Sequence, residues 1–202
     1  NEKELADMSK KERHDLYRDI QVVFQNPWQS FPPNMCVGEG IAEGIVNSGR
    51  VQDFQEFLKE NDIDYKLYGC EVDGRKAIYC HFENKDADFF KIASTGTRSL
   101  ALFYYWYIRM EKASFVFIDE FDAFYHFELS ESVQRHLKKM SGVQIFTTTH
   151  NTDLMSNDLL RPDSYFLLEN NRIKAISELT EKELRQAHNL QKMYKAGAFS
   201  GR

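Results

Sequence analysis

Cysteine is scarce in this chain: three in 202 residues, Cys36, Cys70 and Cys80, with no CxxC pair among them. That fits a reducing compartment with unpaired thiols better than a disulfide framework or a zinc site. With four prolines and ten glycines there is no low-complexity segment, and no internal repeat appears. No apolar run approaches the roughly 18 residues needed to span a bilayer. No signal-peptide pattern opens the chain, so the expected location is the cytoplasm. The first residue is Asn1 rather than an initiator methionine, and residues upstream are therefore expected. An excess of positive charge is also lacking. A net charge of -5 argues against a protein that coats nucleic acid, while leaving room for a local basic groove.

What is present suits a soluble α/β protein. Hydrophobic residues make up 42% of the chain and aromatic residues 14%, enough for one sizeable core, and 28% charged residues make an ordinary surface. Residues 1–19 alternate acids and bases, as on a solvated helix face. Ile20–Phe24 is a short β-rich run that enters a loop rich in breakers, from Gln25-Asn26-Pro27 to Pro32-Pro33-Asn34. Residues 37–47 and 51–60 read as helices. Residues 65–92 read as a meander of short strands, with turns at Asp73-Gly74 and Glu83-Asn84. Ser94 is placed to cap a helix that carries the apolar run Leu100–Met110.

Phe115–Ile118 is continuously apolar, which predicts a strand buried on both faces, and Val143–Thr148 predicts a second buried strand. A helix over 128–140 lies between them. A hairpin is expected around Asn170-Asn171 and a last amphipathic helix over 180–195. Strands alternating with helices predict an α/β fold with a mostly parallel sheet, helices on both faces and edge β-hairpins.

Two acids, Asp119 and Glu120, follow the apolar strand immediately. Burial of the strand would hold them at its carboxyl end, where α/β proteins place ligands. A desolvated carboxylate needs a cation or donors, and Mg²⁺ carrying nucleotide phosphates meets that need. Asp119 is then suited to hold the metal, and Glu120 to orient or deprotonate an attacking water. The same segment also reads as a strand that ends in two solvated acids.

His150 ends the second apolar strand and would reach the same pocket if the strands are neighbours; by itself it also reads as a capping histidine. Ser94-Thr95-Gly96-Thr97 opens a helix, where free N–H groups, hydroxyls and a glycine make an anion site or simply an N-cap. The aromatic run Phe103-Tyr104-Tyr105-Trp106-Tyr107 offers surfaces for base stacking. Aromatics on several faces of one helix favour deep packing instead.

The order strand-Asp-Glu, then strand-His about 30 residues on, after a Ser-x-Gly-x helix start, resembles that of ABC-type ATPases. Phe115–Glu120 resembles the Walker B strand with its catalytic glutamate, and Phe121-Asp122-Ala123 looks like the D-loop. His150 looks like the switch histidine. Ser94–Thr97 resembles the signature that contacts ATP on a second subunit, and Gln25 resembles the Q-loop glutamine, which senses the γ-phosphate and Mg²⁺. Residues from about 54 to 199 are similar to AAA-family ATP-binding proteins related to the OLD, RecF and SMC groups, several of which are linked to DNA transactions or phage defence.

Arg18–Pro27 and Ser30–Met35 resemble instead the ATP-binding subunits of oligopeptide and dipeptide importers. Those carry a Ser-Gly-Gly-Gln type signature, where this chain has Ser-Thr-Gly-Thr. A larger departure is that no Gly-Lys dipeptide occurs, so no G-x-x-x-x-G-K-[ST] phosphate loop is present in these residues.

The resemblance implies a partial P-loop NTPase core in three parts: a Q-loop segment over 1–49, a variable helix and strand meander over 50–93, and a lobe over 94–202 carrying the signature, Walker B, D-loop and switch histidine. It implies ATP and Mg²⁺ as ligands, with Glu120 and His150 catalytic. Asp119 and Gln25 would serve the metal, and Gln25, Ser94, Thr95, Gly96, Thr97 and Asp122 the nucleotide. It further implies a head-to-tail homodimer and a DNA or defence-system partner. The alternatives are a peptide-importer subunit docked on a membrane permease, or a catalytically silent interaction fragment.

Overall fold

The computed structural model describes residues 5–23, 36–123, 127–169, 171–180, 184 and 189–199. Helix α1 (Lys10–Asp19) starts in a capping box in which Ser9 accepts from the Glu12 N–H and Glu12 reaches back to the Ser9 N–H. It runs directly into strand β1 (Ile20–Val23). Phe24 and the following loop, including Gln25, lie outside the described residues.

Helices α2 (Val37–Asn47) and α3 (Val51–Lys59) come next, then strands β2 (Leu67–Val72), β3 (Arg75–Phe82) and β4 (Lys85–Asp88) as an antiparallel sheet in sequential order. Its first turn contains Asp73 and Gly74, both at positive φ, which is where the Asp-Gly pair was expected to turn the chain. The short helix α4 (Phe89–Ile92), capped by Asp88, leads to α5 (Thr95–Met110).

Helix α5 is buried on more than one face, through Leu100, Leu102, Phe103, Tyr104, Ile108 and Met110. It is therefore the central helix of the main core, and the aromatic run packs rather than faces solvent. Phe103 and Tyr104 are buried, and Tyr104 lies 5.1 Å from Phe54 and 5.2 Å from Phe57 between ring centroids. Helix α2 crosses α5 closely at Gly44: a Cβ there would fall 2.5 Å from the Tyr105 ring, so only glycine permits this approach.

Strand β5 (Phe115–Ile118) is the middle strand of a three-stranded parallel sheet in the order β1-β5-β6. Helix α6 (Phe127–Lys139) connects it to β6 (Gln144–Thr147). The architecture is mixed α/β with a parallel sheet, as the alternation of elements predicts.

Three expectations need correction. Strand β5 is not buried on both faces: Val116 and Ile118 are buried, whereas Phe115 and Phe117 are half-buried. Strand β6 alternates exposed and half-buried positions and is not a buried strand. The register explains both, since Val22, Phe117 and Phe146 are paired on one face and side chains of paired residues point the same way. Val22 (41% exposed) and Phe146 (38%) show that this face is less covered among the described residues than the face of Val23, Val116 and Ile118. Finally, the hairpins form sheets of their own rather than edges of the parallel sheet.

The hairpin around Asn171, β7 (Phe166–Glu169) with β8 (Arg172–Ala175), sits above a small second core of Ile176, Leu190 and Phe199. The last helix, α7, spans Leu190–Lys195 and is shorter than the helix expected over 180–195, since Thr180 and Leu184 are not helical and Asn189 is its N-cap; residues 181–183 and 185–188 lie outside the described residues. Among the described residues no helix is long and apolar enough to cross a membrane. All three cysteines are free thiols.

Candidate nucleotide site at the end of the parallel sheet

Strands β5 and β6 are adjacent and parallel, pairing Phe115 with Gln144 through Ile118 with Thr147. Their carboxyl ends therefore lie side by side, and the residues after each strand meet. Asp119 is tied to β1 on its other side, its N–H donating to the Val23 carbonyl at 3.0 Å. One step beyond, Glu120 adopts φ +44°, in the left-handed region that a side chain with a Cβ disfavours. A turn follows, closed by the Ala123 N–H donating to the Glu120 carbonyl at 3.0 Å.

Thr148 joins these pieces. Its N–H donates to the Ile118 carbonyl at 3.0 Å, and its carbonyl accepts from the Phe121 N–H at 3.1 Å. Its hydroxyl donates to Asp119 Oδ1 at 2.7 Å and accepts from the Glu120 N–H at 2.7 Å. An ionised carboxylate only accepts, so the hydroxyl proton faces Asp119 and a lone pair is left for the Glu120 amide.

His150 stands above this turn, with Nε2 3.5 Å from Glu120 Oε1; its side chain is 92% exposed and that of Glu120 30%. The loop carrying His150 is shaped by its neighbours. The Thr149 hydroxyl accepts from the Asn151 N–H at 2.9 Å, and Asn151 Oδ1 accepts from the Asp153 N–H at 3.0 Å.

Three of the residues singled out from sequence, Asp119, Glu120 and His150, are thus brought together. Asp122 lies in the same turn, half-buried. Gln25 is outside the described residues; Val23, the last described residue of β1, ends beside Asp119.

Ser94–Thr97 stands on another element, at the start of α5. Ser94 caps the helix by accepting from the Thr97 N–H at 3.1 Å and shares a hydrogen bond with the Thr97 hydroxyl at 2.8 Å. Ser94 and Thr95 are exposed. A Cβ built on Gly96 would meet Leu129 at 3.7 Å and Ser94 Oγ at 3.9 Å, ordinary contacts, so the chain's own packing does not demand a glycine there.

Thr148 is the residue that sequence reasoning left without a role. A threonine ending a strand is ordinary for a β-branched residue, and only the pairing of β5 with β6 places its hydroxyl between the two acids.

The donors at this strand end are hard carboxylate oxygens with a hydroxyl beside them. Mg²⁺ in phosphoryl-transfer sites takes one or two such carboxylates and fills its other positions with water and substrate phosphates. Among the described residues there is no group of three or more His, Cys, Asp or Glu side chains able to form an all-protein metal cage. Asp119 and Glu120 are of the donor type that Mg²⁺ takes in such sites.

The mixed α/β architecture, with its three-stranded parallel sheet, is consistent with an AAA domain of the P-loop NTPase type. Residues 6–156, about three quarters of the chain, match the model of the family described as "AAA domain, putative AbiEii toxin, Type IV TA system". The chain belongs to that family. No curated protein matches the sequence.

Proposed function

We propose that the chain carries the hydrolytic side of an ATPase site. The supporting observation is the cluster of Asp119, Glu120 and His150 around Thr148, at the end of two adjacent parallel strands. In this reading Asp119 holds Mg²⁺ directly or through water. An ion held there would supply charge neutralisation for the nucleotide phosphates. Glu120 accepts a proton from the attacking water as its oxygen bonds the γ-phosphorus and ADP leaves. His150, exposed and 3.5 Å from Glu120, would hydrogen-bond a γ-phosphate oxygen. Gln25 is assigned to the same phosphate and metal by resemblance.

Ser94, Thr95, Gly96 and Thr97 would serve an ATP held by a second copy in a head-to-tail dimer. The exposed Ser94 and Thr95 and the space at Gly96, unneeded by the chain itself, support that role, whereas Thr97 is buried and shares a hydrogen bond with Ser94. Asp122, in the turn after Glu120, would lie at the same dimer boundary.

The absence of a Gly-Lys dipeptide from the 202 residues bears on activity. The β- and γ-phosphates lack their usual backbone nest and lysine within this chain. Alone, it is expected to release phosphate from ATP at close to the rate without enzyme, and robust Mg²⁺-dependent turnover would refute this. The family's description and the resemblance to the OLD, RecF and SMC groups together favour a role in phage defence or DNA transactions.

The decisive experiment uses a version supplied with a phosphate loop. There Glu120→Gln is expected to bind ATP, slow hydrolysis by about 10²–10⁴-fold and shift the protein to a dimer in size-exclusion chromatography with ATP and Mg²⁺. Adding Ser94→Arg should undo the dimer by blocking the helix start. Normal turnover in Glu120→Gln would remove Glu120 as the base. ATP binding without a dimer would remove the role of Ser94 and Gly96 across subunits.

A further inference from the structure

Within the reading above, one side chain does more than its strand position requires. A hydroxyl has one proton to give and lone pairs to accept with. At Thr148 the proton goes to Asp119 Oδ1 at 2.7 Å and a lone pair takes the Glu120 N–H at 2.7 Å. The backbone of Thr148 brackets the same turn, donating to Ile118 and accepting from Phe121. The residue between those anchors, Glu120, is held at φ +44° although it carries a Cβ. Backbone strain of this kind persists only where surrounding contacts over-determine it. That backbone conformation sets where the Glu120 side chain leaves the turn, and the hydroxyl engages one oxygen of the Asp119 carboxylate.

We propose that Thr148 is a positioning residue: a single hydroxyl, delivered by the strand that leads to His150, sets the Asp119 carboxylate toward the metal and holds Glu120 in its left-handed conformation. The metal ligand and the base are therefore aligned jointly, and by β6 rather than by their own strand. Any displacement of the segment Thr148–His150 is felt at both acids at once. This rests on the ATPase reading for the roles of the acids, while the hydrogen bonds themselves do not.

The test uses the full chain and Mn²⁺ alone as a spectroscopic stand-in for Mg²⁺, with free Mn²⁺ counted by electron paramagnetic resonance. Thr148→Val removes the hydroxyl and keeps the shape; Thr148→Ser keeps the hydroxyl; Thr148→Ala serves if valine prevents folding. Loss of a hydrogen-bonding partner behind a metal ligand weakens affinity by about 10–100-fold. That drop is expected for valine or alanine, with serine within about twofold of the parent. In the same variants the Glu120 amide should exchange with solvent faster, read by NMR, and serine should restore its protection.

Unchanged Mn²⁺ affinity and unchanged Glu120 exchange in Thr148→Val would overturn the proposal and leave the ATPase reading standing. Equal weakening by serine and valine would overturn it too, since the hydroxyl would not be the cause. A parent chain that binds no Mn²⁺, or binds it equally after Asp119→Ala, would remove the metal role of Asp119 and this proposal with it.

Discussion

On the antiparallel meander, His81 and Asp86 sit at paired positions of β3 and β4, with Nδ1 and Oδ1 2.8 Å apart. The Tyr68 hydroxyl donates to the other oxygen, Oδ2, also at 2.8 Å. At the end of the parallel sheet, His150 and Glu120 form a looser pair at 3.5 Å, across two strands and a turn with a left-handed glutamate. The first pair arises from register alone, because cross-strand partners five residues apart must meet, and it saturates its carboxylate with local donors. The second is assembled from segments 30 residues apart and keeps its histidine in solvent. A relaxed, short, locally satisfied pair belongs to the scaffold. A longer pair over a turn with a left-handed glutamate, with the Asp119 carboxylate beside it, is the arrangement on which the proposed site rests.

The two regions also differ in what supports them. Behind the meander, Phe54 is fully buried against Phe89 at 5.5 Å and Tyr104 at 5.1 Å between ring centroids. The parallel sheet has one face only partly covered among the described residues. Phe54→Ala should therefore be the most damaging change, costing about 3–5 kcal/mol in urea unfolding. A loss below about 1 kcal/mol would mean that the aromatic core is not what holds the meander in place.

A smaller effect of opposite character is expected at the acid turn. At ordinary positions glycine is less stable than alanine by about 0.5–1 kcal/mol. At Glu120 the order should reverse, with Glu120→Gly more stable than Glu120→Ala by about 1 kcal/mol, because only glycine escapes the left-handed penalty. Equal melting points, or alanine the more stable, would show that the turn carries no strain and would erase the contrast between the two pairs.

The smallest effect separates the pairs by titration. Hydrogen bonds from His81 and then Tyr68 hold the Asp86 carboxyl below its usual range. The hydrogen bond to Asp86, with some loss of hydration, pushes the Tyr68 phenol up to about 12. A raised phenol contributes its stabilisation in full below the unfolded value near pH 10, and the contribution is lost as pH rises through about 12. Asp86 works in the other direction, its contribution present above the unfolded carboxyl value and lost as pH falls through its depressed one. Asp86→Asn should return Tyr68 to ordinary phenol behaviour in an ultraviolet pH titration. A Tyr68 unmoved by that change would mean that the pair is not locked as described.

Much of this was legible in the sequence, for reasons tied to particular residues. Asp73-Gly74 marks a hairpin because few dipeptides tolerate positive φ, and the structure turns there. Ser94 marks a helix start because its hydroxyl satisfies an otherwise free amide, and it does so at Thr97. The apolar run Phe115–Ile118 followed by two acids marks a strand ending in a polar site, since burial of the run fixes where the acids emerge. These signals are local: each follows from the conformational preferences of a few adjacent residues.

What the sequence left undecided depended on partners far along the chain. A run of four apolar residues predicts burial but not how much, and the coverage of each face of β5 depends on which elements pack over Phe117 and over Val116. The composition of the Thr147-Thr148-Thr149 run gives no reason to prefer one hydroxyl. Only the parallel register of β6 against β5 turns Thr148 toward both acids, while Thr149 faces its own loop. Nor does a glutamate announce a positive φ, since that strain is imposed by contacts from a strand about 30 residues away rather than by its own preference. The residue types of the candidate site were therefore set by the sequence, and their alignment by the pairing of two strands.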